Sequence, residues 1–358
     1  MDTSAYTVKT IILALIGSQK EMKAALLYSI LVGKRTPSVL FQAKRLGLEN
    51  YFSLFEQLTR EQFQQILKKL ITKQFVQLQE ADVYTVPSTV KERSRYTSKD
   101  QLDTYLLGFF RYQKLLPVFW IRFQLFIQIV SEKRHQKVNY RPITNELSHQ
   151  RWIKGWILQN QDDFAGLAEE AAGEIFSLLA SLPQEKAELV TLLLTGHEKN
   201  GRTMNQLKEL WAIKSNTGFL LLLIQTQLLL VRYIQESPER YKHLAKLLAS
   251  VDKETFYGLN ESTFVTVELL KSQSIEEIAH VRNLKIGTIK EHILEIALSQ
   301  DHFSVADFIP QERKETIKKL QEEEFFLPFK MVQKKVGEID FFHYRLLQIE
   351  RMRKHGYE

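Results

Sequence analysis

Residues 262–296, STFVTVELLKSQSIEEIAHVRNLKIGTIKEHILEI, carry the pattern that decides the fold. A helix ends near Leu270. Ser274 with Glu277 three residues later is a capping box, in which each residue satisfies an amide left open at a helix start. The helix that follows is short, with Ile275, Ile278 and Ala279 on its inner face. Leu284 anchors a turn, and Ile289, Ile293 and Ile296 recur at i, i+4 and i+7 as the apolar stripe of the next helix. Ala279 is small where two helices must cross closely. This register predicts a helix-turn-helix, the second helix of the pair being the one that enters a groove.

Working outward to the N-terminus, residues 8–32 have helical spacing throughout, and Thr36 followed by Pro37 is a helix start. That helix runs to about Arg45, Leu46-Gly47-Leu48 turns the chain, and further helices are expected over 49–57 and 59–73. FVQLQEADVYTVPS then alternates apolar and polar residues about Glu80-Ala81-Asp82, as a small hairpin does. Residues 1–87 therefore predict a winged-helix-like module. Residues 88–102, polar and basic without periodicity, read as a linker. Residues 103–250 read as a helical middle domain, and 255–358 as a helix-turn-helix domain expected to fold on its own. The fold class is all-α and multi-domain: a winged-helix-like N-terminal module with a small hairpin, a central helical bundle and the C-terminal helix-turn-helix domain. Thr203 to Trp211, a short capped helix, followed by a turn and a long helix, has the layout of a second helix-turn-helix.

The chain of 358 residues exceeds what one core usually supports, and its 44% hydrophobic and 25% charged residues are those of a globular protein. It has no cysteine, which excludes disulfides and thiolate chemistry and fits a cytoplasmic setting. The N-terminal apolar run lacks the basic residues and cleavage site of a signal peptide. The apolar stretches 103–130 and 219–234 carry Arg111, Lys114, Arg122 and Arg232, so they read as bundle helices, with no membrane partner expected.

Net charge is +7 and unevenly placed. Residues 91–160 hold 13 Lys and Arg against 5 Asp and Glu, while residues 251–358 sum to −3. Basic residues that neutralise phosphates give salt-dependent, sequence-independent binding. The candidates are Lys34, Arg35, Lys44, Arg45, Lys91, Arg93, Arg95, Lys133, Arg134, Lys137 and Arg141, with Tyr96, Tyr112 and Trp152 as rings able to stack on bases or to serve as core. On the helix-turn-helix itself, Lys285, Thr288 and Lys290 would face DNA, yet Glu291 and Glu295 sit on the same helix and it has no arginine, asparagine or glutamine for bidentate base contacts.

SIEEIAHVRNLKIGTIKEHI, FSVADFIPQERKETIKKL and LPFKMVQKKVGEIDFFHYRLLQIER resemble, in that order, the helicase helix-turn-helix domain at the C-terminus of RecQ-family helicases. Through GKRTPSVLFQAKRLGLENYF near the N-terminus, the whole chain also resembles the stand-alone YpbB-like proteins of Gram-positive bacteria. The resemblance implies a RecQ-type helicase partner and work in DNA repair or recombination. Departures are Lys271-Ser272-Gln273, where the family often has a glycine, and Gly287. Phe325, Phe326, Phe329, Phe341, Phe342 and Tyr344 are candidate protein-interface rings, with a place in the core as the alternative.

Gly196 to Thr203 imitates a phosphate-binding loop but puts Arg202 where lysine belongs, and reads better as a helix-to-helix loop capped by Thr203. The nine histidines form no ligand motif. No enzyme activity, cofactor, metal or small-molecule substrate is expected. The expected function is an adaptor of a RecQ-type helicase with weak, non-specific DNA binding. The alternative is a winged-helix transcription regulator on duplex DNA.

Overall fold

The structure is a computed structural model that describes residues 6–93, 96–159, 164–309, 328–337 and 339–355. It divides into two compact units that do not follow the order of the chain. The first joins Met1–Glu21, Ile66–Gln79 and Tyr84–Gly258, and the second joins Met22–Gln65, Glu80–Val83 and Leu259–Glu358.

The first elements are α1 (Val8–Gly17), β1 (Met22–Lys23), α2 (Ala24–Leu31), α3 (Pro37–Arg45), α4 (Arg60–Thr72), β2 (Gln77–Glu80) and β3 (Val83–Thr85). The strands form one sheet of order β1-β3-β2. The single helix expected over 8–32 is thus two helices parted by a strand. A two-residue strand has no periodicity of its own and exists through its pairing, so local spacing did not show it. The hairpin forms where expected, with Asp82 in the left-handed region at φ 69°. The Asp82 carboxylate also accepts from the Ala25 amide at the start of α2, at 3.0 Å. Thr36 caps α3 with Pro37 at its first position. The helix expected over 49–57 is only a 3-10 turn, Glu49–Tyr51.

The first unit is mainly a bundle of α5 (Ser88–Lys91), α6 (Lys99–Leu106), α7 (Phe109–Tyr112), α8 (Leu115–Arg134), α9 (Leu147–Gln159), α10 (Phe164–Ser181), α11 (Gln184–Leu193), α12 (Met204–Leu210), α13 (Asn216–Glu236) and α14 (Lys242–Glu254). The stretch read as a linker is largely built into this unit. Val90 of α5 is buried, and α6 starts inside it with a Ser98/Gln101 capping box. α8 packs against α9, α10 and α14, burying Phe119, Phe123 and Phe126. Arg122 lies within this apolar face because Glu254 takes its guanidinium with two 2.6 Å bonds and Trp152 stacks on it at 3.8 Å. α8 and α13 are long and apolar enough to cross a membrane, but 61% of each apolar window is buried within the fold. Buried Glu174 on α10 receives the amides of His243 and Leu244, so a side chain from another helix satisfies the open start of α14.

The second unit holds α15 (Glu261–Leu269), α16 (Ile275–Val281), α17 (Ile286–Ser299), α18 (Phe329–Val336) and α19 (Phe341–His355), with α2 and α3. α17 packs against α15, α16, α19 and also α3, from the other end of the sequence. A fragment starting at residue 255 would uncover the α17 surface that α3 covers.

Candidate nucleic-acid interface

The helix-turn-helix forms as its sequence requires. Ser274 and Glu277 make both capping-box bonds. Asn283 takes the left-handed conformation at φ 51°, and the Leu284 amide returns to Ala279 O at 2.9 Å, which ends α16. Ile289, Ile293 and Ile296 are fully buried. The same local pattern recurs in the first unit. Thr203 and Gln206 box α12, Ala212 sits at φ 52°, and the Ile213 amide returns to Lys208 O at 2.8 Å.

The exposed face of α17 carries few free charges. Residues 293–298 of α17 are all buried. Of its first turns, Ile286, Gly287 and Glu291 are exposed beside Lys285, and exposed Val281, Glu276 and Glu277 adjoin them on α16. Lys290 is held by Asp340 and lies over the Phe342 ring at 5.5 Å. Burial works to raise the Asp340 carboxyl, but bonds from Lys290 and the Phe342 amide outweigh it and hold the group below its ordinary value. Arg282, in the turn, is directed inward onto Ser262 and Thr266. Beside it, burial and then the Arg282 charge lower the His292 pKa, leaving His292 neutral and bonded to the Thr266 hydroxyl at 2.8 Å.

Glu295, expected to repel a phosphate, instead lies buried. It takes Arg35 Nε at 2.6 Å, the Thr263 hydroxyl at 2.6 Å and the Asn260 amide at 3.2 Å. Arg35 also donates to Ser299 at 3.1 Å. Buried Lys44 meets Asp301 at 3.0 Å. Arg35 and Lys44 are therefore structural cations rather than phosphate ligands, a correction to the reading of the sequence. Their partners lie some 260 residues away, at |i−j| of 260 and 257, where no spacing rule reaches. Lys34 is exposed and Arg45 half-buried.

In the first unit, Lys91, Arg93, Lys133, Lys137 and Arg141 are exposed, Arg93 lying over Phe75 at 5.2 Å. Arg134 pairs with Glu169 at 2.9 Å across exposed surface, a weak link that water and salt loosen. Arg95 lies outside the described residues. The three candidate stacking rings are engaged by the fold. Tyr96 packs where a β-carbon on Gly17 would sit, Tyr112 donates to Gln235 at 2.7 Å, and Trp152 lies against Arg122.

The aromatic candidates divide. Phe342 and Tyr344 are buried, the Tyr344 hydroxyl accepting from Gln348 at 2.7 Å. Phe329 is half-buried, edge-on to Phe341 at 5.1 Å. Phe341 stays 43% exposed, with Arg345 over its ring at 4.9 Å. Phe325 and Phe326 lie outside the described residues. The sequence reading missed Glu295 as an anchor; its position beside the isoleucine stripe, one residue before Ile296, was the available signal.

Residues 262–348 match a family described as a helix-turn-helix domain. Over 299 residues, 82% of this chain and 82% of the relative, the chain is 25% identical to Protein YpbB of Bacillus subtilis (strain 168). No solved structure matches.

Proposed function

We propose that this chain is a non-catalytic adaptor of a RecQ-type DNA helicase, working in the cytoplasm in DNA repair or recombination. Its helix-turn-helix unit faces protein, and the exposed cations of residues 132–154 hold DNA without reading its sequence. The observation that carries the proposal is the opposite use of charge in the two places. Around α16 and α17 the exposed face is largely apolar and acidic with Lys285 as its exposed cation, while Lys290, Arg282 and Arg35 are turned onto partners inside the unit. Lys137, Arg141 and Lys154 are exposed, in the most basic part of the chain. The likeness to the C-terminal domain of RecQ-family helicases supports the choice of partner.

The test is DNA binding by the full chain at several salt concentrations. Reversing Lys133, Lys137 and Arg141 to glutamate should weaken binding to duplex and single strands alike, and flatten the salt slope by about 2–3 units, at ~0.7–0.9 for each phosphate no longer neutralised. Lys285→Glu should change it little. A larger loss from Lys285→Glu would move the DNA surface back to the helix-turn-helix. The helicase part is checked by pull-down of a RecQ-type helicase with Val281→Asp and Ile286→Asp variants, which should lose it.

One observation favours a second reading. The order helix, strand, helices, then hairpin, with sheet order β1-β3-β2, is that of a winged helix, and α4 before the hairpin exposes Arg60, Lys68 and Lys69. A transcription regulator would select a defined duplex sequence through α4, and recovery of defined promoter fragments with the protein would favour it.

A further inference from the structure

We propose that the cavity between α8 and α9 is a docking site for an acidic peptide segment that inserts one bulky apolar side chain. The cavity measures about 340 Å³ and is walled by Leu125 and Ile129 of α8, Ile153 and Ile157 of α9, and Tyr140 and Pro142 of the segment between them. That volume lies at the small end of ligand pockets, suited to a side chain rather than a large cofactor.

The wall is built rather than incidental. The buried Gln128 side chain donates to Arg141 O at 2.9 Å and accepts from the Ile143 amide at 3.0 Å, so the backbone is tied on both sides of Pro142. Tyr140 is held half-buried, and burial, then the Glu132 charge, raise its phenol, which stays neutral.

Apolar lining and basic rim together select the occupant. Leu158 at the mouth is 63% exposed, and Lys154 beside it is exposed. Residues 132–154 hold six Lys and Arg against two Glu, and one of those, Glu132, is buried with His197 as a partner. Gln150, a polar group in the lining, already donates to Thr144 O at 2.7 Å. Tyr140, Gln150 and Lys154 are the few polar groups of the lining, so a nucleobase entering here would leave most of its donors and acceptors without partners, a cost that offsets part of its burial. A phenylalanine or leucine has no such groups, and carboxylates flanking it would meet Lys154 of the lining and Arg141, between the lining residues Tyr140 and Pro142. The peptide would share Arg141 and Lys154 with the proposed DNA surface and compete with DNA there, and the insertion of an apolar side chain is what sets the two apart.

The experiment is fluorescence anisotropy of the full chain with a labelled peptide of aspartates and glycines around one phenylalanine. Replacing that phenylalanine by alanine should weaken binding about tenfold or more, as expected for losing burial of a large side chain. Leu158→Ser should do the same. Lys154→Glu should weaken binding and flatten its salt dependence. Both positions are exposed, and circular dichroism verifies that the variants fold. Binding that follows peptide charge alone and ignores the phenylalanine overturns the proposal. So does loss of oligothymidine binding in Leu158→Ser with peptide binding intact, which would assign the cavity to bases. The DNA reading fails by a different result, the indifference of DNA binding to the triple charge reversal.

Discussion

Arg35 and Arg141 are the same residue type, each near a lysine and a proline in a basic stretch, yet the fold treats them oppositely. Arg35 is buried against Glu295 in the helix-turn-helix unit, whereas Arg141 is exposed at the edge of a cavity in the bundle unit and only its backbone is held. The difference lies in the partner rather than the cation. A buried charge survives only with an opposite charge and hydrogen bonds about it, and α17 supplies both through Glu295. At Arg141, Gln128 of α8 grips the main chain and leaves the side chain to solvent. Local basicity therefore says little about which cations meet an outside anion.

The sharpest way to break this comparison is the matched pair Arg35→Ala and Arg141→Ala. The first leaves Glu295 buried without its cation and should cost about 3–5 kcal/mol; the second should stay within about 0.5 kcal/mol. Denaturant unfolding of the full chain measures both. Equal midpoints would mean the Arg35 pair does not form.

The rings offer a second contrast within one helix. Phe342→Ala empties a buried site and should cost roughly 3 kcal/mol or more, while Phe341→Ala, half in solvent, should cost less than about half of that. A Phe341 variant that keeps its stability but loses helicase in a pull-down would keep Phe341 as an interface ring; Phe342 offers no such separation.

A smaller loss, ~1 kcal/mol, is expected from Ser274→Ala, which opens the capping box of α16. Lys137→Ala, at an exposed position whose main-chain bond to Glu132 O survives the change, serves as the comparison and should leave the melting temperature unmoved.

The smallest effect depends on pH. His292 has a lowered pKa in the folded chain, below the ordinary 6.5. Above that value both folded and unfolded states are neutral at this position, and its stability contribution is whole. As pH falls through 6.5 the unfolded chain takes up the proton first, so stability declines until the folded pKa is reached. His292→Gln should therefore show a shallower fall in melting temperature between neutral pH and about 5 than the parent chain. Parallel curves would remove the burial argument at this residue.

What the sequence determined by itself was local. The Ser274 box, the Thr36-Pro37 start, the hairpin about Asp82 and the isoleucine stripe each rest on bonds or contacts within a few residues, so spacing alone specifies them. The helix-turn-helix was legible for that reason. Only the tertiary structure decided that Met22 and Lys23 are a strand, that α3 belongs with α17, and which cations and rings face inward. A carboxylate 260 residues from its arginine leaves no periodicity to read, because the pairing is set by how helices pack and not by their order along the chain. Charge and aromatic content state what surfaces a protein has available; burial, which depends on every neighbouring element at once, selects the ones it presents.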